Sequence, residues 1–409
     1  MINNIYLDHA AATPLSETMK QHLISVLDLF GNPSSLHSAG RSAAQIIAKS
    51  GQSIADFLHA RPEDIYFTPS GSASNTLAVR GLTSENPQEN RYEVFYSPTA
   101  HKSMIKACES CLYHKALQVN AIGEIDPACL ENMLTECSAR KPLVCIEAAS
   151  SEIGTVQNVA DIGAIVHRHH GILAVDVTGY LPSYRIDLEK WKDSVDLLTF
   201  SGHKLRALKG IGVLWKRKEL RLKPLIYGSQ QNGILGGTEN VVGIASLGKA
   251  VEEYDYSSIS SAGRNYVYHY INKHIPDSFL VGAPVAGENR LPCNLCMCFR
   301  GVEGESLMSL LDVNGIRVST GSACNNLDSE PSHALRSIGM KEPDIHSCIR
   351  MSFCGRETPV ELNYICEKLR YCVDTLRKLN AGQKSSRKEE TFSFCGRLPG
   401  RNATEPNCC

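Results

Sequence analysis

The chain carries almost no net charge. Its 42 lysines and arginines stand against 43 aspartates and glutamates, for a formal charge of −1 at pH 7. That balance provides no global field to gather nucleic acid or an anionic membrane, so neither is expected as a partner. Long apolar runs are missing as well: none approaches the ~20 residues that a bilayer span needs. The opening residues, Met1-Ile2-Asn3-Asn4-Ile5-Tyr6-Leu7-Asp8-His9, lack a basic start and a long apolar stretch. No secretory signal is expected there, and the cytoplasm is the default compartment. No internal repeat is present.

A disulfide framework is the next absence. Sixteen cysteines are many for 409 residues. Most of them, such as Cys145, Cys298, Cys348 and Cys366, lie inside apolar segments, where a reducing compartment makes them small core residues. Cys293-x-x-Cys296-x-Cys298 has the spacing of a metal knuckle, but Asn294 to Phe299 alternates like a strand and sends successive side chains to opposite faces. No metal site is expected, and Cys108-x-x-Cys111, in a helical pattern, is read the same way.

What is there is an ordinary globular mixture, 43% apolar and 21% charged, over a length that suits two domains. The first two-thirds alternates helical and strand patterns. Ile65 to Thr68, Glu93 to Tyr96, Leu143 to Ile146, Ile172 to Val175 and Leu197 to Phe200 are short apolar runs. Several show little alternation, the mark of strands buried on both faces in a mainly parallel sheet. An α/β fold follows, with a seven-stranded type of sheet covered by helices and ligands expected at the carboxyl ends of the strands. Residues 15–253 form the expected large domain. Residues 1–14 and 254–380 form a smaller α+β domain whose last helix runs from Pro359 to about Leu379. The polar residues 381–409 read as a flexible tail.

The chemistry concentrates at predicted strand ends. Ser201-Gly202-His203-Lys204 leaves the run ending at Phe200. A lysine there loses hydration and can be pushed toward the neutral, nucleophilic form that a Schiff base requires. A surface lysine or a phosphate-binding lysine is the alternative. Thr68-Pro69-Ser70-Gly71-Ser72-Ala73-Ser74 opens a helix, as a phosphate cradle does and as any capped helix does. Asp176 follows Val175, where a carboxylate is costly unless a cation meets it. His101 ends another strand. Pyridoxal 5′-phosphate asks for this set together: a lysine for its aldehyde, an aspartate for its ring nitrogen, a stacking partner and a phosphate cup. In the second domain, Cys324 sits in the loop Gly321-Ser322-Ala323-Cys324-Asn325-Asn326, as a mobile nucleophile or as a cysteine without a role. Arg350 lies on an apolar strand, suited to a substrate carboxylate or to a structural ion pair.

These segments, in this order, resemble the NifS/IscS-type cysteine desulfurases, pyridoxal-phosphate enzymes of fold type I among the class V aminotransferases. The resemblance runs from Tyr6-Leu7-Asp8-His9-Ala10-Ala11-Ala12-Thr13-Pro14 to about Leu379. It includes Gly31-Asn32-Pro33-Ser34-Ser35-Leu36-His37, Ser201 to Lys204, Gly237-Thr238-Glu239-Asn240, Gly321 to Cys324, Glu330-Pro331-Ser332-His333 and Ile349-Arg350-Met351-Ser352. It implies Lys204 as the cofactor lysine, His101 stacked on the ring and Asp176 at the ring nitrogen. Gly71, Ser72, Ser201 and His203 become phosphate ligands, and Thr238 a phosphate ligand lent to the neighbouring subunit of a homodimer. Ser151 becomes a cofactor contact, Arg350 and Asn32 contacts to L-cysteine, and Cys324 the acceptor of sulfur. The implied reaction yields L-alanine and a persulfide on Cys324 for a sulfur-acceptor protein. Iron–sulfur cluster assembly, with Cys324 able to bridge to a cluster on the partner, and tRNA thiolation are both open.

The chain departs from the family pattern at several places. Ser150-Ser151 replaces an asparagine pair, Gly179 replaces a glutamine, Gly233 to Gly236 lacks the usual arginine, and Ala73 replaces a glutamate. These changes imply an altered rate, substrate or partner. Two other classes stay open: a cofactor-dependent C–S or selenocysteine lyase that does not need Cys324, and a non-catalytic relative that binds a partner.

Overall fold

A computed structural model describes residues 4–137, 139–320 and 331–392, with side chains to residue 381. Seven strands form the main sheet. From one edge they are Ile65–Thr68, Gly212–Lys216, Leu197–Ser201, Ile172–Asp176, Lys141–Glu147, Tyr92–Tyr96 and His114–Ala116. Only Gly212–Lys216 runs against the others.

The apolar runs are buried on both faces, as their lack of alternation requires. One face carries Phe95, Val144, Ile146, Val175, Leu198 and Phe200 into a core shared with Ile54, Leu58, Ile244 and Leu247. The other carries Val94, Leu143, Cys145, Ala174 and Leu197 against Leu77, Ala78, Met104 and Ile105. Helices Ser38–Leu58 and Val241–Glu252 therefore cover one face, and Gly71–Arg80 and Lys102–Glu109 the other.

A second, antiparallel sheet holds Ser319–Thr320, Cys348–Ser352, Asn294–Phe299 and Ser278–Leu280 in that order. The N-terminal strand Ile5–Tyr6 pairs in parallel with Ile316–Arg317. The Ser352 amide then donates to the Leu7 carbonyl at 2.7 Å. The N-terminal strand is thus sewn to the second domain, which carries Asp8 up to Arg350.

Asn294–Phe299 is a strand that sends successive side chains to opposite faces, as its alternation requires: Leu295, Met297 and Phe299 enter one core and Cys296 and Cys298 another. One detail differs from the sequence reading. The final helix runs Pro359–Phe392, past Leu379, over Gln, Lys, Arg and Glu residues that are themselves good helix formers.

Candidate active site

The parallel strands end at one side of the sheet, and their following turns line a cavity of about 560 Å³. Lys204, Asp176, His101, Gly71, Ser72, Ser151, Ser201, His203 and Arg350 all line it. Asn32 and Thr238 do not. Asn32 is exposed and its Oδ1 accepts from the Ser34 amide at 2.9 Å; Thr238 is exposed. Cys324 lies outside the described residues.

Each polar group is held by its own strand end. Ser70 caps the helix Gly71–Arg80, its Oγ accepting from the Ala73 amide at 3.1 Å. The amides of Gly71 and Ser72 belong to the first helical turn, which has no intrahelical acceptor and favours an anion. A side chain at position 71 would begin 3.0 Å from Ser201 Cβ, so the backbone approach there asks for glycine. His203 Nε2 faces the Ala11 carbonyl at 3.1 Å, and Nδ1 lies 2.7 Å from Ser201 Oγ. Burial pushes this imidazole below its ordinary value, with Lys204 adding to the effect. The neutral ring then carries its proton on Nε2, and Ser201 donates to Nδ1.

Asp176 accepts from Asn75 Nδ2 at 2.8 Å and from the Thr178 amide at 2.8 Å, one bond to each oxygen. Asn75 is fixed in turn by Thr199 Oγ1, which donates to its Oδ1 at 2.5 Å. It also donates to Ser103 Oγ at 3.1 Å. His101 caps the helix Lys102–Glu109, with Nδ1 accepting from the Ser103 amide at 3.2 Å. The cap orients a ring open to the cavity. Burial lowers its pKa, Asp176 opposes the change, and Lys204 reinforces it. Lys204 Nζ donates to Ser151 Oγ at 3.1 Å.

Arg350 realises the ion-pair alternative: Nη2 meets Asp8 Oδ1 at 2.7 Å, and Nη1 donates to the Ser151 carbonyl at 3.3 Å. Its buried Nε–H has no hydrogen-bond partner among the described residues. An orphaned buried donor is expensive, and a carboxylate in this cavity would satisfy it. Arg350→Leu is therefore expected to raise the KM for cysteine roughly a hundredfold, the scale of losing one partner of a buried charge pair. The absorbance of the cofactor on Lys204 should be unchanged. An unaltered KM would remove Arg350 from substrate binding.

Gly179 and Ser151 explain each other. A Cβ at position 179 would stand 2.5 Å from the Ala149 carbonyl and 2.6 Å from Ser151 Oγ. The hydroxyl that meets Lys204 thus occupies the space in which a side chain at 179 would begin. The turn carrying Ser151 is braced from below. Arg290, 2% exposed, donates to the carbonyls of Val281 and Asn294, and Asn294 Nδ2 donates to the carbonyls of Ser151 and Glu152. Gly154 sits at φ +78°, with Asn294 Oδ1 where its Cβ would be, so the brace requires glycine there.

The sequence reading missed four polar groups: Asn75, Asp8, Glu147 and Glu152. Asn75 lies one helical turn after Gly71, on the face that the cradle already uses. Glu147 directly follows Ile146, the same signal that marked Asp176. Glu152 accepts from Ser332 Oγ, and burial raises its carboxyl to about 7 against Ser332, Arg350 and Lys102.

The donor set fits pyridoxal phosphate. The first-turn amides of Gly71 and Ser72 would meet an anion at one end, Asp176 would supply a charge for a ring nitrogen, and Lys204 lines the same cavity. The fold is that of the NifS-like pyridoxal-phosphate enzymes. A NifS-like protein from Rickettsia africae superposes with a TM-score of 0.81 at 28% identity, over 91% of this chain and 99% of that one. The chain belongs to the aminotransferase class-V family, which it matches over residues 5–365. Cysteine desulfurase IscS of Dictyoglomus turgidum is 33% identical over 395 residues, 93% of this chain and 97% of the relative. A solved structure of SspA in complex with cysteine has a TM-score of 0.74 at 29% identity, over 87% of this chain and all of that one.

Proposed function

We propose that the protein is a pyridoxal-phosphate-dependent cysteine desulfurase that moves the sulfur of L-cysteine to its own Cys324 and releases L-alanine. The observation that carries this reading is the meeting in one cavity of Lys204, Asp176 and His101 with Arg350. The first three suit the cofactor and the last a substrate carboxylate. Bound on Lys204, the cofactor supplies an electron sink for the substrate carbon. The residues of the chain do the rest. Arg350 holds the carboxylate, Asp176 the ring nitrogen, and the Lys204 amine carries a proton between substrate carbon and cofactor. The thiolate of Cys324 attacks the substrate sulfur. The carbon–sulfur bond breaks, the sulfur stays on Cys324 as a persulfide, and the carbon fragment takes up protons to leave as alanine. An acceptor protein or small thiol then removes the sulfur.

A homodimer in which Thr238 would contact the neighbouring subunit's cofactor phosphate is supported by the exposure of Thr238. Among the described residues no helix is long and apolar enough to cross a membrane.

Product analysis tests the assignment. The purified holoprotein given L-cysteine and a reducing thiol should form alanine and sulfide in equal amounts. Pyruvate in place of alanine would instead make the enzyme a C–S lyase. One feature favours that second reading for a bulkier substrate: a chamber of about 80 Å³ continues past Ser151, Thr178, Gly179 and Lys204 toward Arg206.

A further inference from the structure

Glu147 has no role in the reaction described above, yet it lines the same cavity. It ends the strand Lys141–Glu147 and is the register partner of Asp176 on the adjacent parallel strand. Register partners in a parallel pair leave the sheet on the same face, about 5 Å apart at the backbone. Glu147 is 6% exposed. The hydroxyls of Ser150 and Thr99 lower its pKa, but Oε1 has no hydrogen-bond partner among the described residues. A buried carboxyl with an unused oxygen in a ligand cavity is not a packing residue, because an apolar side chain would fill the strand end at lower cost.

We propose that Glu147 is a positioning residue for the cofactor: a second carboxyl group that, paired with Asp176, sets the negative charge felt by the ring and by Lys204. The proposal rests on the cofactor reading of Lys204 and Asp176.

The two acids are held differently. Asp176 receives one hydrogen bond on each oxygen, the pattern of an acceptor-only carboxylate. Burial pushes the Glu147 carboxyl up to about 8, and the Asp176 charge adds to it; Ser150, Thr99 and Lys204 act in the opposite direction. The charged and titratable groups around the pair are Lys204 beyond the strand Leu197–Ser201 and His101 at the start of the helix Lys102–Glu109. His101 feels both Asp176 and Lys204. Near neutrality, then, the pair presents one negative charge to one cationic ring nitrogen. As the pH rises through about 8, Glu147 gives up its proton and a second charge appears. That charge favours protonation on the lysine-bound cofactor.

The sign is testable with Glu147→Gln, which keeps the shape and the neutral state but cannot ionise. Wild type and variant should show the same ~420 nm band of the protonated lysine-bound cofactor below neutrality. In alkali the variant should lose that band first, with its midpoint lower by about half a pH unit or more, roughly a threefold change in proton affinity. Superimposed titrations would overturn the proposal. The apoprotein supplies a cofactor-free readout. A folded-state pKa raised above the ordinary carboxyl value contributes stability at low pH that is lost as pH passes the raised value. The wild-type Tm should therefore fall relative to that of Glu147→Gln as the pH rises from about 4.5 to about 8, and the two curves should run parallel above that. Tm curves parallel across that rise would also sink it. No lysine-bound band in wild type would instead refute the cofactor reading, while the melting comparison still judges Glu147.

Discussion

Lys204→Ala protein, purified with added pyridoxal phosphate, is expected to lack the ~420 nm band of a lysine-bound cofactor and to form alanine from cysteine at least a thousandfold more slowly. Two roles are lost together: the covalent anchor and the amine that carries the proton. The fold should tolerate the change. Lys204 leaves the short 3₁₀ turn Gly202–Leu205, whose backbone is held independently, with the Gly202 amide on the Ile211 carbonyl and the Arg206 amide on Thr13 Oγ1 at 2.9 Å. Its side chain donates to Ser151 Oγ. An unchanged circular dichroism spectrum together with loss of colour would separate the chemical role from a structural one. A small added amine should restore part of the proton transfer, because the cavity would keep Asp176, His101 and the phosphate cup. Retention of the band in Lys204→Ala would mean that another amine holds the cofactor, and the assignment of this strand end would be wrong.

Much of this site was readable because it is local. Each of Asp176, His101 and Lys204 stands just past a continuous apolar run. Such a run can only be a strand buried on both faces, and its carboxyl end is where an α/β sheet opens. Glu147 obeys the same rule, directly following the run that ends at Ile146, and was passed over. Asn75 was legible in principle from the helical repeat that starts at Gly71. The Asp8–Arg350 pair was not: 342 residues separate its members, and only the pairing of Ile5–Tyr6 with Ile316–Arg317 brings them together. Nor could spacing show that Gly179 and Ser151 are sterically coupled, since Ala149, Ser151 and Gly179 converge from two strands. The motif residues Asn32 and Thr238 mark the other limit. The resemblance assigned both to the site, and neither lines the cavity of this chain.

Cys324→Ala is expected to form alanine from cysteine at least a hundredfold more slowly while keeping the lysine-bound absorbance, since only the attacking thiolate is gone. Among the described residues no cysteine lines the main cavity. Cys293 and Cys354 line the smaller chamber beyond Lys204, but burial pushes the Cys293 thiol up to about 12 and also raises that of Cys354. Neither is a ready thiolate at neutral pH. Cys296, Cys298 and Cys348 sit in a sealed cluster with Ile153 and Leu335. Of sixteen cysteines, twelve are described. The remaining four are Cys324, Cys395, Cys408 and Cys409, and the last three follow the helix Pro359–Phe392. Cys324 comes four residues after Thr320, which lines the cavity and pairs with Ile349 beside Arg350. Four residues of chain span at most roughly 13–14 Å, an upper limit on the backbone separation of position 324 from Thr320. After cysteine is added without reductant, mass spectrometry should find one extra sulfur atom on the peptide carrying Cys324, and none on those carrying Cys293 or Cys354. Alanine formed as fast by Cys324→Ala as by wild type would remove Cys324 from the sulfur transfer and overturn that assignment.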